Sequence, residues 1–142
     1  MTQTPHTAPP TSITLTRTGA RTYEATNAAG ATVRVGGEGA LSPVELLLAA
    51  LAGCSAIDVD VVTARRAEPT RFEVTASGRK STEGGNHLED VTLRFALEFP
   101  EGPEGDQARA RIDNALRASH ERDCTVSRTV ELATPVTFER VD

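Results

Sequence analysis

From Ser12 onward, apolar and polar positions alternate. Ile13 and Leu15 are interleaved with threonines, residues 21–26 repeat the pattern, and Val33 and Val35 share one face of a third stretch. Turn residues separate them, at 18–20 and at Asn27-Ala-Ala-Gly30. This spacing predicts an antiparallel meander of three short strands. Gly36-Gly37-Glu38-Gly39 ends it and reads as a hinge, since it lacks the Lys-Ser/Thr of a phosphate loop. The period then changes to that of a helix. Ser42 stands as N-cap, Pro43 at the first helical position where its missing N–H costs nothing, and Glu45 at the capping-box position. The helix is predicted to run to about residue 66 and to be closed by Pro69, with Leu47, Ala50, Leu51, Cys54, Ile57 and Val61 as its buried stripe. Its first two turns are apolar nearly all round. That predicts cover on more than one side, by a sheet and with a second subunit as a candidate for the rest.

Strand periodicity returns at 71–79, with Phe72, Val74 and Ala76 on one face. It is strongest at 88–99, where Val91, Leu93, Phe95, Leu97 and Phe99 alternate. Asp106 is expected to cap a helix over 107–120. A short third helix is expected from about Asp123 to about Glu131, and a final strand over 134–141. Residues 1–11 are Thr/Pro-rich and read as a flexible tail, leaving a single domain over 12–142. Strands and helices come in groups instead of alternating one by one, which favours an α+β fold with antiparallel sheets over a doubly wound one.

Composition narrows the chemistry. The chain has 142 residues, 38% of them hydrophobic, and no Trp, so Leu, Val, Ala and Ile must fill the core. A net charge of −5 and a pI near 5.2 argue against nucleic acid and against an anionic membrane surface as partners. The densest apolar run, 46–52, is far short of the roughly 20 residues that span a bilayer. The opening MTQTPHTAPPTS has neither a basic nor an apolar leader segment. These features point to the cytoplasm, where disulfides are seldom structural. The two cysteines are then either inert packing or redox chemistry.

Cys54 falls mid-helix, directly after Gly53. A glycine there costs about 1 kcal/mol in helix propensity and admits close approach of another backbone. The plain alternative is a small buried hydrophobe. Cys124 falls in the first turn of the third helix if Asp123 is its cap. Free N–H groups and the helix dipole favour a thiolate there, Arg122 supports it, and Glu121 and Asp123 oppose it. The plain alternative is a partly buried cysteine in a tight turn. A zinc site from Cys54, Cys124 and His120 lacks zinc-finger spacing. No nucleotide fingerprint is present, and no cofactor or metal is expected.

The segment Ser42-Pro-Val-Glu-Leu-Leu-Leu-Ala-Ala-Leu-Ala-Gly-Cys54-Ser-Ala-Ile-Asp58 resembles the signature helix of the OsmC/Ohr family (osmotically inducible protein C and organic hydroperoxide resistance protein). Ala118-Ser-His-Glu-Arg-Asp-Cys124-Thr-Val-Ser127 resembles that family's second-cysteine segment. The Gly-Cys-Ser-Ala-Ile-Asp stretch looks closest to the YhfA-like branch. The resemblance implies two long central helices flanked by sheets in an intertwined homodimer with active sites at the subunit interface. It implies a thiol-dependent peroxidase reducing organic hydroperoxides. Cys54 would be the attacking thiolate, Cys124 the resolving thiol, and an external dithiol the reductant. It further implies an arginine beside the first cysteine, for which Thr18-Gly-Ala-Arg21 offers Arg21, with Arg17 as the alternative. Leu47, Leu48, Leu51 and Phe95 are the expected pocket walls. In the peroxidase branches a glutamate directly follows the helix-start proline. Here Val44 holds that place, and Glu45, the remaining catalytic candidate, lies one residue later, about 100° around the helix. That departure motivates a second reading, a non-catalytic small-molecule-binding or redox-sensing protein on the same fold.

Overall fold

The computed structural model describes residues 8–142. The tail expected over 1–11 thus lies mostly outside the described residues, and 8–12 carry no strand or helix. Contacts divide the chain into two compact units, one ending at Leu46 and one running from Leu47 to Asp142.

The first unit is the expected antiparallel meander, with strand order β1 (Ile13–Gly19), β2 (Thr22–Asn27), β3 (Thr32–Val35). The Asn27 side chain makes the β2–β3 turn by accepting the backbone N–H groups of Ala29 and Ala31 at 3.0 and 2.9 Å. Pairing of β1 with β2 extends to Gly19 opposite Thr22, which narrows the first turn to Ala20 and Arg21. Arg21 there takes a left-handed conformation, φ 57°. A Cβ at Gly36 would stand 2.6 Å from the Arg21 carbonyl oxygen, and Gly36 itself has φ +71°. The glycine that opens the hinge is therefore required by space and by conformation together. The predicted capping box is formed: the Ser42 N–H donates to Glu45 Oε2 at 2.7 Å, and the Glu45 N–H donates to Ser42 Oγ at 3.2 Å. It starts α1 (Pro43–Thr63).

In the second unit, the line that α1 buries is Leu51, Ser55, Val59 and Thr63, at i, i+4 spacing. This corrects the expected stripe, of which Leu51 alone is fully buried. Ile57 and Val61 are 66% and 51% exposed. The helix is apolar on nearly every side, so periodicity could not choose the face. Thr63 is tolerated inside because its hydroxyl donates back to the Val59 carbonyl at 3.0 Å. By length and a mean hydropathy of 1.8, α1 is apolar enough to cross a bilayer, which run 46–52 considered alone did not indicate. The close backbone approach expected at Gly53 is not made among the described residues, since a Cβ there would meet nothing within 4 Å.

Strands β4 (Arg71–Ser81) and β5 (His87–Glu98) form an antiparallel hairpin that sets Phe72 opposite Leu97, Val74 opposite Phe95 and Ala76 opposite Leu93. β4 runs two residues further than its periodicity indicated, and β5 begins and ends one residue earlier. At the hairpin end, His87 Nδ1 bonds the Gly85 carbonyl at 2.8 Å and Nε2 bonds Glu89 at 3.0 Å. The carbonyl, and after it the carboxylate, raise the imidazole's pKa above its ordinary value. Protonated His87 therefore supports the folded hairpin below the unfolded imidazole's pKa, about 6.5. That support disappears as pH rises through the higher folded value. An NMR titration of His87 is expected to give a midpoint above 6.5 that falls in Glu89→Gln; a midpoint unmoved by that substitution would contradict the assignment.

The remaining chain corrects three expectations. The single helix over 107–120 is instead α2 (Pro103–Arg109) and α3 (Ile112–Ala118), so α1 is the one long helix among the described residues, not one of two. Gly102 precedes α2 as its cap position, and Pro103 opens it. Asp106 pairs with Arg109 inside the helix and caps nothing. After α3 the chain widens into a π turn (Ser119–Asp123) before α4 (Thr125–Glu131). Residues 134–142 form no strand, and Val136 and Phe138 are 77% and 93% exposed. An extended segment becomes a strand only where a neighbour pairs with its backbone, and no described part of this chain pairs with it.

Candidate active site

Cys54 sits on α1, partly exposed, one position from the buried line. Cys124 is fully buried. It is the N-cap of α4, a place the sequence reading gave to Asp123. The π turn explains the displacement: the Cys124 N–H reaches back five residues to the Ser119 carbonyl at 2.9 Å. Cys124 Sγ then accepts the Ser127 N–H at 3.3 Å, doing with sulfur what a capping hydroxyl does with oxygen. The same turn aims the buried Ser119 hydroxyl at Asp58 on α1, 2.8 Å away across 61 residues of sequence.

The outcome is one cluster. Cys54 Sγ, Cys124 Sγ and an Asp58 carboxylate oxygen all lie within 4.8 Å of one another. Asp58 is four residues after Cys54, which puts both on one face of α1. The first turn of α4 serves both sulfurs, because the Val126 N–H is directed at Cys54 while that of Ser127 serves Cys124. The two thiols are nevertheless unequal. For Cys54 the Val126 N–H favours the thiolate, but burial, Cys124 and Asp58 together outweigh it and hold the pKa above the ordinary thiol value. For Cys124 burial works against ionisation, yet hydrogen bonds from Ser127 and Ser55 and from Cys54 outweigh it and hold the pKa below. The surroundings therefore favour the thiolate more at the buried sulfur than at the exposed one.

A cavity of about 430 Å³ opens beside the cluster. Ser55, Ser119 and Ser127, the serines that hold Cys124 and Asp58, line it together with Leu93, Phe95 and Leu116. Of the expected walls Phe95 is present, while Leu47, Leu48 and Leu51 do not line it. His120 reaches the cavity but bonds Glu131 at 2.8 Å and is not in the sulfur cluster, so the third group beside the cysteines is Asp58. Arg21 and Arg17 belong to β1–β2 of the first unit, and Glu45 to the capping box. Its carboxyl is held below the usual range by the Ser42 N–H and hydroxyl. Sequence reasoning missed Asp58, Ser55, Ser119 and Ser127. The i, i+4 spacing of Cys54 and Asp58 was a readable signal; the wide turn that delivers Ser119 left none.

A model described as OsmC-like protein matches residues 36–139. The chain belongs to the OsmC-like family. An uncharacterized protein of Mycobacterium tuberculosis is 34% identical to this OsmC-like chain over 137 residues, covering 93% of it and 97% of the relative. An OsmC-like protein of unknown function from Vibrio cholerae superposes with a TM-score of 0.68 at 16% identity, over 87% of this chain and 95% of the other. The organic hydroperoxide resistance protein OhrB of Bacillus subtilis superposes with a TM-score of 0.55 at 19% identity, over 87% and 92%. These two likenesses establish the α+β OsmC-like fold.

Proposed function

We propose that this protein is a thiol-dependent peroxidase that reduces organic hydroperoxides through Cys54 and Cys124. The observation that carries the reading is the meeting of two free sulfurs, far apart in sequence, within 4.8 Å. Access divides their roles: Cys54 is partly exposed and Cys124 is buried. Cys54 attacks the outer peroxide oxygen and passes its proton to the Cys124 thiolate; the O–O bond breaks, and the alkoxide leaves and is protonated to the alcohol. Cys54 is then a sulfenic acid. Cys124, deprotonated again, attacks that sulfur and expels hydroxide, which becomes water. The sum is thiol, thiolate, ROOH and one proton giving disulfide, ROH and water. An external dithiol returns the pair to its starting state. The apolar side of the cavity favours an organic over an inorganic peroxide. Glu45, committed to Ser42, is assigned to starting α1 and not to the chemistry. Steady consumption of cumene hydroperoxide with dithiothreitol tests the reading, and absence of turnover with both thiols reduced would refute it.

We further propose that the protein is a homodimer and works in the reducing cytoplasm. The bare face of α1, carrying Gly53, Ile57 and Val61, and the unpaired segment with Val136 and Phe138 support a second copy as the missing cover. Light scattering is expected to give twice the chain mass, and Ile57→Glu to shift it toward monomer. A monomeric wild type would refute the dimer.

A further inference from the structure

Three groups capable of binding metal already converge in the second unit: the sulfurs of Cys54 and Cys124 and a carboxylate oxygen of Asp58, all mutually within 4.8 Å. Among the described residues no Lys, Arg or His forms an ion pair with Asp58; its hydrogen bond comes from the Ser119 hydroxyl, which fixes the carboxylate and leaves a second oxygen free. In a tetrahedral site with metal–sulfur bonds near 2.3 Å and metal–oxygen bonds near 2.0 Å, neighbouring ligand atoms lie roughly 3.5–3.8 Å apart. The cluster needs only small side-chain rotations to close on an ion.

We propose that the reduced cluster is a binding site for a thiophilic divalent cation of the zinc type, held by Cys54, Cys124 and Asp58. Two sulfurs exclude magnesium and calcium, which take oxygen donors, and a mixed sulfur and oxygen set suits zinc or cobalt. Three protein ligands leave the fourth position open, filled by water from the exposed side of Cys54. Ser119 orients the carboxylate from behind, as outer hydrogen bonds do in metal centres. The inference goes beyond the peroxidase reading and does not need it. If both hold, the bound ion occupies both sulfurs and holds the redox pair inactive until the ion leaves.

The test is anaerobic titration of the full reduced chain with cobalt(II) alone, in the absence of any peroxide. One equivalent is expected to bind with a near-ultraviolet thiolate-to-cobalt charge-transfer band, and zinc is expected to abolish the band. Asp58→Asn is expected to weaken cobalt affinity by about tenfold or more, while Ser119→Ala weakens it less. His120→Ala is expected to change nothing. No charge-transfer band, a band that persists in Cys54→Ser, or an unchanged affinity in Asp58→Asn would overturn the proposal. Circular dichroism of each variant separates loss of the site from loss of the fold. Because the readout is binding, its failure leaves the peroxidase reading untouched, and failed turnover leaves the metal site untouched.

Discussion

Cys54→Ser is expected to lower hydroperoxide turnover by roughly three orders of magnitude or more, since it removes the nucleophile itself. Oxygen replaces sulfur with little change in shape at a partly exposed position, so the melting temperature should stay close to that of the wild type. Cys124→Ser is expected to behave differently. The first reduction still occurs. The substitution removes the proton-accepting thiolate but also the Cys124 contacts that raise the Cys54 pKa, so Cys54 can ionise to solvent. The Cys54 sulfenic acid then has no neighbouring thiol to capture it. It accumulates, reacts with dimedone, and passes to sulfinic acid under excess peroxide. Activity with dithiothreitol should then decline within a few turnovers. If Cys124→Ser abolished the first turnover while Cys54→Ser kept it, the two roles would be reversed. The electrostatics make that a real contest, because Cys124 is the more acidic thiol and Cys54 the more accessible one.

Gly105→Ala is expected to be the most destabilising conservative change outside the site. A Cβ at Gly105 would fall 1.7 Å from the Pro100 carbonyl oxygen and 2.9 Å from its carbon, and both are backbone atoms that no side-chain rotation can remove. Gly105 is buried where α2 folds against the end of β5, and Arg109 fixes the same corner by donating to the Phe99 carbonyl at 3.0 Å. Relieving the clash requires α2 to shift. The expected loss is on the order of 2–3 kcal/mol, typical of overpacking. It should be read as a lower urea midpoint with an unchanged slope. A midpoint within error of the wild type would mean that α2 does not sit against Pro100 in solution.

The elements were legible where one local force decided them. The Ser42–Glu45 box, the Asn27 turn and the alternation from Leu93 to Leu97 each appear in the structure as the sequence indicated, whereas Val91 falls at an irregularity in the pairing and Phe99 lies past the strand's end. The errors came where distant contacts decide. An α1 apolar on nearly every side left the buried face open, and the chain buried Ser55 and Thr63 in preference to Ile57 and Val61. Strand periodicity over 134–141 describes a segment able to pair, not one that has a partner. In the site, both cysteines were visible as a pair, but the rest depended on the π turn. That turn moved the α4 cap from Asp123 to Cys124 and aimed Ser119 at Asp58. Nothing in the composition of Ser119–Asp123 distinguishes a π turn from an ordinary α turn. Asp58 was passed over because it lies outside the apolar stripe by which α1 was read.

The most direct test of the redox pair is to treat the reduced protein with one equivalent of cumene hydroperoxide, quench with acid and measure intact mass and peptide map. The expected product is two hydrogen atoms lighter per chain, with the peptides bearing Cys54 and Cys124 joined and separable by reductant. An unchanged mass with both thiols still free to alkylate, or a crosslink that joins the wrong peptides, would contradict the account.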